Sequence, residues 1–274
     1  MDSKTIQLGN TQYAYYEMAN PGKPKMLLLH GMVVESHCFE KLAAFFKDDY
    51  HLLFLDLKGH GKSGNGTSYD ESYTNDAIAR DFLAFYQAVI QEPFHLVGYS
   101  LGGQYAIKFA GTFPDKVKSL VLIDSAPELS FKGNLAILFA LMKTPKFFKD
   151  EAHVYRYYDV RNPGMGDYML KYCLARDSFG HYTPRYDKLN FAPNTMAKAA
   201  ARGKDLWEAS CRITAPTLLL RGGKSFVFSN RLEKKMRMSI PRLEVVLLKD
   251  EEHLMAITHP KEVAEPIRAF LAKV

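Results

Sequence analysis

Cysteine is scarce in this sequence. Cys38, Cys173 and Cys211 are the only three among 274 residues, and they stand far apart without metal-ligand spacing. An odd, scattered set excludes a disulfide framework and suits small buried residues in a reducing compartment. Long apolar runs are missing as well. The longest, residues 135–142, falls far short of the ~18 residues that span a bilayer. The start, Met1-Asp2-Ser3-Lys4-Thr5, is polar and lacks a basic stretch leading into an apolar one, so no secretory signal is expected. These absences predict a cytoplasmic chain with no membrane span. Runs of five or more basic residues are absent too. The net charge of +6 is spread along the chain, which predicts a mildly basic surface and no nucleic-acid partner. Gly59, Gly61 and Gly64 fit a dinucleotide fingerprint only loosely, since a polar loop follows them where a long helix is needed.

What is present fits a globular protein. Hydrophobic residues make up 47% and charged residues 24%, enough apolar material for a full core without disulfides or metal. Residues 5–18 predict two short strands about the Gly9-Asn10 turn pair. Solid apolar runs follow at 26–29, 52–55, 94–99, 120–123, 216–220 and 243–248. Runs apolar on both faces predict parallel strands covered on both sides. Between them, Ile78, Phe82, Phe85, Tyr86 and Val89 recur at helical spacing behind a cap at Thr74 or Asn75. Tyr105, Phe109 and Ala110 do the same up to Pro114, as do Val263, Ile267, Phe270 and Leu271 after Pro260. This alternation predicts an α/β fold with right-handed crossovers.

One stretch breaks the rhythm. Residues 127–211 predict several helices joined at Asn162-Pro163-Gly164, Thr183-Pro184 and Ala192-Pro193-Asn194, and they hold seven of the sixteen tyrosines. We read this stretch as a helical cap inserted into a core domain made of residues 1–126 and 212–274. Residues 135–142 are apolar around most of a short helix. Such a helix is expected to be covered on more than one side, packing on the core and lining a pocket together with cap tyrosines.

The sharpest chemical signal is Gly98-Tyr99-Ser100-Leu101-Gly102, with Gly103 behind it. It sits where a strand pattern turns directly into a helix pattern. A turn that tight strains the backbone at its apex and demands tiny neighbours, and it presents the Ser100 hydroxyl at a helix N-terminus. A serine hydroxyl is a poor nucleophile at neutral pH and needs an adjacent base. Among nine histidines, His253 stands in the loop after the last strand run, where it can reach Ser100. His30-Gly31-Met32 closes the first buried strand. It predicts an oxyanion hole built from the backbone N–H groups of Met32 and Leu101.

Leu29-His30-Gly31, residues 56–63 (Asp-Leu-Lys-Gly-His-Gly-Lys-Ser), the Ser100 motif, residues 216–222 and the late His253 together resemble the α/β-hydrolase superfamily. The resemblance implies an eight-stranded, mostly parallel sheet flanked by helices, a cap inserted after strand six, and acyl-type hydrolysis without a cofactor. Members of this branch often carry Arg where this chain has Lys58, and Trp where it has Phe39. The family acid usually follows strand seven. Here that loop, residues 222–228, contains no Asp or Glu, and Lys224 or Phe226 stands nearest to the expected position. Some members place the acid after strand six, which points to Asp124. Another carboxylate, or none, is the alternative. Asp56 is expected to brace the glycine-rich loop, and Glu251 and Glu252 lie too near His253 in sequence to orient its ring.

The resulting expectation is a serine hydrolase for an apolar carboxylic ester, lactone or thioester, with Ser100, Asp124 and His253 as the working residues, no metal and no cofactor. A ligand-binding or signalling protein with slow or no turnover, and a lyase or cyclase, remain alternatives on the same fold. The sequence does not fix an oligomeric state.

Overall fold

The computed structural model describes residues 1–160, 162–191 and 196–274. Its centre is an eight-stranded sheet in the order β1-β2-β4-β3-β5-β6-β9-β10. The strands are β1 (Asp2–Leu8), β2 (Thr11–Met18), β3 (Lys25–Leu29), β4 (His51–Leu55), β5 (Phe94–Tyr99), β6 (Val117–Ile123), β9 (Thr217–Gly222) and β10 (Leu243–Leu248). β2 runs antiparallel to both β1 and β4, and every other pairing is parallel.

The two faces of the sheet divide the apolar runs by alternation, as the two-residue repeat of a strand requires. Leu27, Leu29, Leu53, Leu55, Leu96 and Leu120 enter one core. Met26, Leu28, Leu52, Phe54, Val97 and Val121 enter the other. The first core is covered by α1 (Asn75–Phe85) and α2 (Leu101–Thr112), and the second by residues 38–46 and by α6 (Pro260–Leu271), the last helix of the chain. Thr74 caps α1, its side chain accepting from the Ala77 N–H, and α2 stops short of Pro114. β10 departs from the expectation of a strand buried on both faces. It is the edge of the sheet, with Glu244 and Leu247 exposed.

Between β6 and β9 the described chain runs through α3 (Phe131–Lys143), α4 (Glu151–Tyr158), a helical stretch over 165–173, a 3₁₀ turn at Lys188–Phe191 and α5 (Met196–Ser210). Three expectations need correction here. The segment is not purely helical, because Leu174–Arg176 (β7) pairs antiparallel with Tyr182–Pro184 (β8). Thr183-Pro184 therefore ends a strand instead of joining helices, a place where a missing N–H is tolerated. Ala192-Pro193-Asn194 lies outside the described residues. Second, α3 is covered on one side only. Phe131, Phe139 and Met142 are 78%, 55% and 72% exposed, and only Ile137 and Leu141 of this helix line the cavity that holds Ser100. Third, the tyrosines of this segment do not line that cavity. Tyr157, Tyr158, Tyr168, Tyr172 and Tyr182 pack about a separate small core of Phe148, Val154, Met165, Met169, Cys173 and Leu174. Among the described residues no helix is long and apolar enough to cross a membrane.

Candidate active site

Parallel strands bring their carboxyl ends to one edge of the sheet, where loops from several strands converge. Ser100 directly follows β5 and Asp124 directly follows β6. Both have left-handed backbone, with φ 51° at Ser100 and 47° at Asp124. Non-glycine residues seldom hold that conformation, and its cost has to be met by surrounding contacts. At Ser100 those contacts are identifiable. Its N–H donates to the Ile123 carbonyl at 3.1 Å, and its carbonyl accepts from the Ser125 hydroxyl at 2.7 Å. The glycines around it permit close approach. A Cβ on Gly102 would stand 2.2 Å from the Leu29 oxygen, and one on Gly98 would stand 2.5 Å from the Gly103 Cα.

The loop after β10 carries His253 back over this edge. Its Nε2 lies 3.0 Å from Ser100 Oγ and its Nδ1 lies 2.6 Å from Asp124 Oδ2. An ionised carboxylate only accepts, so Nδ1 carries a hydrogen and donates it. In the neutral ring Nε2 is then the acceptor and faces the Ser100 hydroxyl. Asp124 is fully buried and accepts two further hydrogen bonds, from the Gly222 N–H at 3.1 Å and from the Ser225 hydroxyl. Those donors come from the loop in which the family pattern places its acid. Lys224 is exposed and ion-paired with Asp250 at 3.4 Å, while the half-exposed Phe226 ring lies 5.7 Å from the His253 ring. The Tyr99 ring also packs on that imidazole, at 5.3 Å. Such an arrangement can accept a proton from Ser100 and hold the resulting imidazolium beside a fixed negative charge.

Met32 and Leu101 both line the cavity that contains Ser100, ≈ 180 Å³ in volume. Among the described residues neither backbone N–H has a hydrogen-bond acceptor. The turn that presents Met32 is braced by His30. The Leu57 N–H donates to His30 Nε2 at 2.9 Å, so Nδ1 carries the hydrogen and donates to the Gly31 carbonyl at 2.7 Å. Burial lowers the pKa of His30 to about 4, which keeps this tautomer neutral. Val33, next to Met32, is left-handed with φ 60°, an uncommon strain for a β-branched residue.

The remaining candidates have other partners. Asp56 is fully buried and accepts from the Ser36 and Lys62 N–H groups, bracing the turn around Gly61. Glu251 pairs with His259 at 2.7 Å, away from His253. Lys58 pairs with Asp81 at 2.7 Å, and Phe39 is fully buried. Among the described residues no cluster of His, Cys, Asp or Glu is placed to hold a metal ion. Sequence reasoning missed Ser225 and Ser125, whose roles depend on loop geometry. It also missed Asn190 and Arg202, which enter the same cavity from the segment between β6 and β9.

Residues 24–153 match the family model of the alpha/beta hydrolase fold. The chain is 28% identical over 251 residues to the 2-(acetamidomethylene)succinate hydrolase of Mesorhizobium japonicum, covering 90% of this chain and 88% of that protein. It is 25% identical over 257 residues to a pimeloyl-[acyl-carrier protein] methyl ester esterase of Neisseria meningitidis, covering 91% and 94%. The crystal structure of an E-2-(acetamidomethylene)succinate hydrolase superposes with a TM-score of 0.85 at 24% identity, over 99% of both chains. Other relatives are named esterases and lipases, and the likeness as a whole supports a hydrolase. The sheet order, the strand-to-helix turn at Ser100 and these likenesses agree: the chain has the α/β-hydrolase fold.

Proposed function

We propose that the protein is a serine hydrolase that cleaves a carboxylic ester, lactone or thioester through an acyl-enzyme. The observation that carries this reading is the continuous line Ser100 Oγ, His253, Asp124, with heavy-atom separations of 3.0 and 2.6 Å beside a cavity. The Ser100 oxygen attacks the substrate carbonyl as its proton passes to His253 Nε2. The N–H groups of Met32 and Leu101, free of protein acceptors among the described residues, receive the negative charge that develops on the carbonyl oxygen. His253 then delivers its proton to the leaving oxygen or sulfur. Water then attacks the acyl carbon and loses a proton to the same nitrogen, which returns it to Ser100 Oγ as the bond from that oxygen to the acyl group breaks and the acid leaves. Asp124 holds the ring in the required tautomer throughout and balances its positive charge.

Residues 127–211 act in this reading as the cap over a core of 1–126 and 212–274. Leu129, Ile137 and Leu141 from the cap face Met32 and Val227 from the core across the cavity, so the body of the substrate is apolar. Turnover of a short nitrophenyl ester, compared between the wild type and Ser100→Ala, tests the reading. Loss of turnover in the variant supports it. Equal turnover in the two proteins excludes Ser100 as the nucleophile.

A further inference from the structure

The cavity beside Ser100 is not wholly apolar. Two side chains of its lining carry enclosed donors without a partner, and the mechanism above uses neither. Arg202, on α5, is partly buried, and its Nε and Nη2 are both enclosed without any hydrogen-bond partner. Asn190, in the 3₁₀ turn before α5, is 4% exposed, and its Nδ2 is likewise enclosed without a partner. The two meet at one ring. The Arg202 guanidinium carbon lies 5.3 Å from the centroid of Tyr105, and the Tyr105 hydroxyl donates to Asn190 Oδ1 at 3.4 Å. With the amide oxygen toward that hydroxyl, the amide nitrogen is the free end. Tyr105 is five residues beyond Ser100 on α2, about 7–8 Å further along the helix axis.

Two enclosed N–H donors without an acceptor are costly, even on a side chain that is only partly buried. Native proteins seldom leave such a group unmet unless a ligand meets it. The acids near Arg202 do not meet it. Asp205 is held by Lys108 at 2.6 Å and Asn75 at 2.7 Å, Asp76 is held by Lys108 at 2.7 Å, and Asp70 is engaged as well. The unpaired Nε and Nη2 form one edge of the guanidinium, whose two N–H bonds run parallel. That edge matches the two oxygens of a carboxylate.

We propose that Arg202 and Asn190 form a carboxylate-binding subsite, and that the substrate carries a carboxylate separated from its scissile carbonyl by an apolar spacer. This rests on the hydrolase reading above and narrows it. The Arg202 edge takes both oxygens of the anion, Asn190 Nδ2–H donates to one of them, and the apolar walls at Ile137, Leu141 and Val227 hold the spacer. The half-ester of a short dicarboxylic acid has this shape.

The test compares the mono-nitrophenyl ester of glutaric acid with nitrophenyl pentanoate, a neutral ester of similar length. In the wild type, kcat/KM should favour the anionic ester at least tenfold. Arg202→Gln should cut that ratio by at least tenfold, and Arg202→Lys, which keeps the charge without the fork, should restore part of it. If Arg202→Gln does not fold, Asn190→Asp takes its place and should lower the ratio through repulsion. A wild-type ratio near one, or a preference that survives these substitutions, overturns the subsite. If neither ester turns over and Ser100 resists a fluorophosphonate, the hydrolase reading itself fails. Calorimetric titration with glutarate then decides the subsite alone: binding by the wild type that is lost in Arg202→Gln supports it, and no binding by the wild type refutes it.

Discussion

Replacing Asp124 by asparagine separates the orienting role of this residue from its structural one. The carboxylate accepts from Gly222 N–H on Oδ1, and from His253 Nδ1–H and the Ser225 hydroxyl on Oδ2. An amide offers one acceptor and one donor, so two orientations compete. With the amide oxygen in the place of Oδ2, its NH₂ faces the Gly222 N–H in a fully buried site. Two opposed donors there cost about 1–3 kcal/mol. With the amide reversed, Gly222 keeps its acceptor and the Ser225 hydroxyl rotates to accept from the NH₂. His253 Nδ1 then also accepts, so its hydrogen moves to Nε2, facing Ser100. The reversed form keeps the acceptor of the Gly222 N–H and avoids two opposed buried donors, so it is favoured, but its imidazole cannot take the Ser100 proton. Asp124→Asn should therefore keep the fold, with a loss under about 2 kcal/mol, and lose on the order of 10³- to 10⁴-fold in kcat. Steady-state hydrolysis of a short nitrophenyl ester, paired with a urea titration, measures both. A folded variant with kcat within about threefold of wild type would refute the orienting role.

Three further outcomes follow from the same contacts. Ser225→Ala removes one hydrogen bond to the carboxylate but leaves Gly222 and His253 in place, so kcat/KM should fall roughly tenfold; an unchanged value would mean that Ser225 is a bystander. Gly102→Ala drives a Cβ to 2.2 Å from one backbone oxygen and 2.5 Å from another, so its melting temperature should drop by roughly 6 °C or more, equivalent to about 3 kcal/mol; an unshifted thermal transition would show that the close approach is not present. Burial lowers the His30 pKa from 6.5 to about 4, so the unfolded chain binds more protons between those limits. Stability should fall as pH drops through that window, by about 3 kcal/mol from this residue alone. Urea titrations at pH 7 and pH 4.5 measure the fall, and equal midpoints would exclude a neutral buried ring.

The sheet was legible because its central strands are apolar on both faces, a pattern that a helix or a half-exposed strand does not produce at that length. The turn at Ser100 was legible because small residues surround a serine at a strand-to-helix boundary. Asp124 was reachable only through the family resemblance, which implies an acid after strand six where the loop at 222–228 offers none. How that loop serves the carboxylate through Ser225 and the Gly222 N–H was not legible, because backbone direction leaves no mark in residue type. α3 misled for a related reason. An apolar helix reports that it could be covered, not that a partner is there, and Phe131 and Met142 lie open. Arg202 stands in the basic, alanine-rich stretch 196–204, which reads as a solvated helix face; only packing against Tyr105 marks it as different.

The central claim is that Ser100 is the nucleophile, activated by His253. Labelling the folded protein with a fluorophosphonate, followed by peptide mapping, tests it most directly. The account predicts a single stoichiometric adduct on Ser100, lost in Ser100→Ala and strongly slowed in His253→Ala. Absence of labelling in the wild type, or an adduct on any other residue, would contradict it.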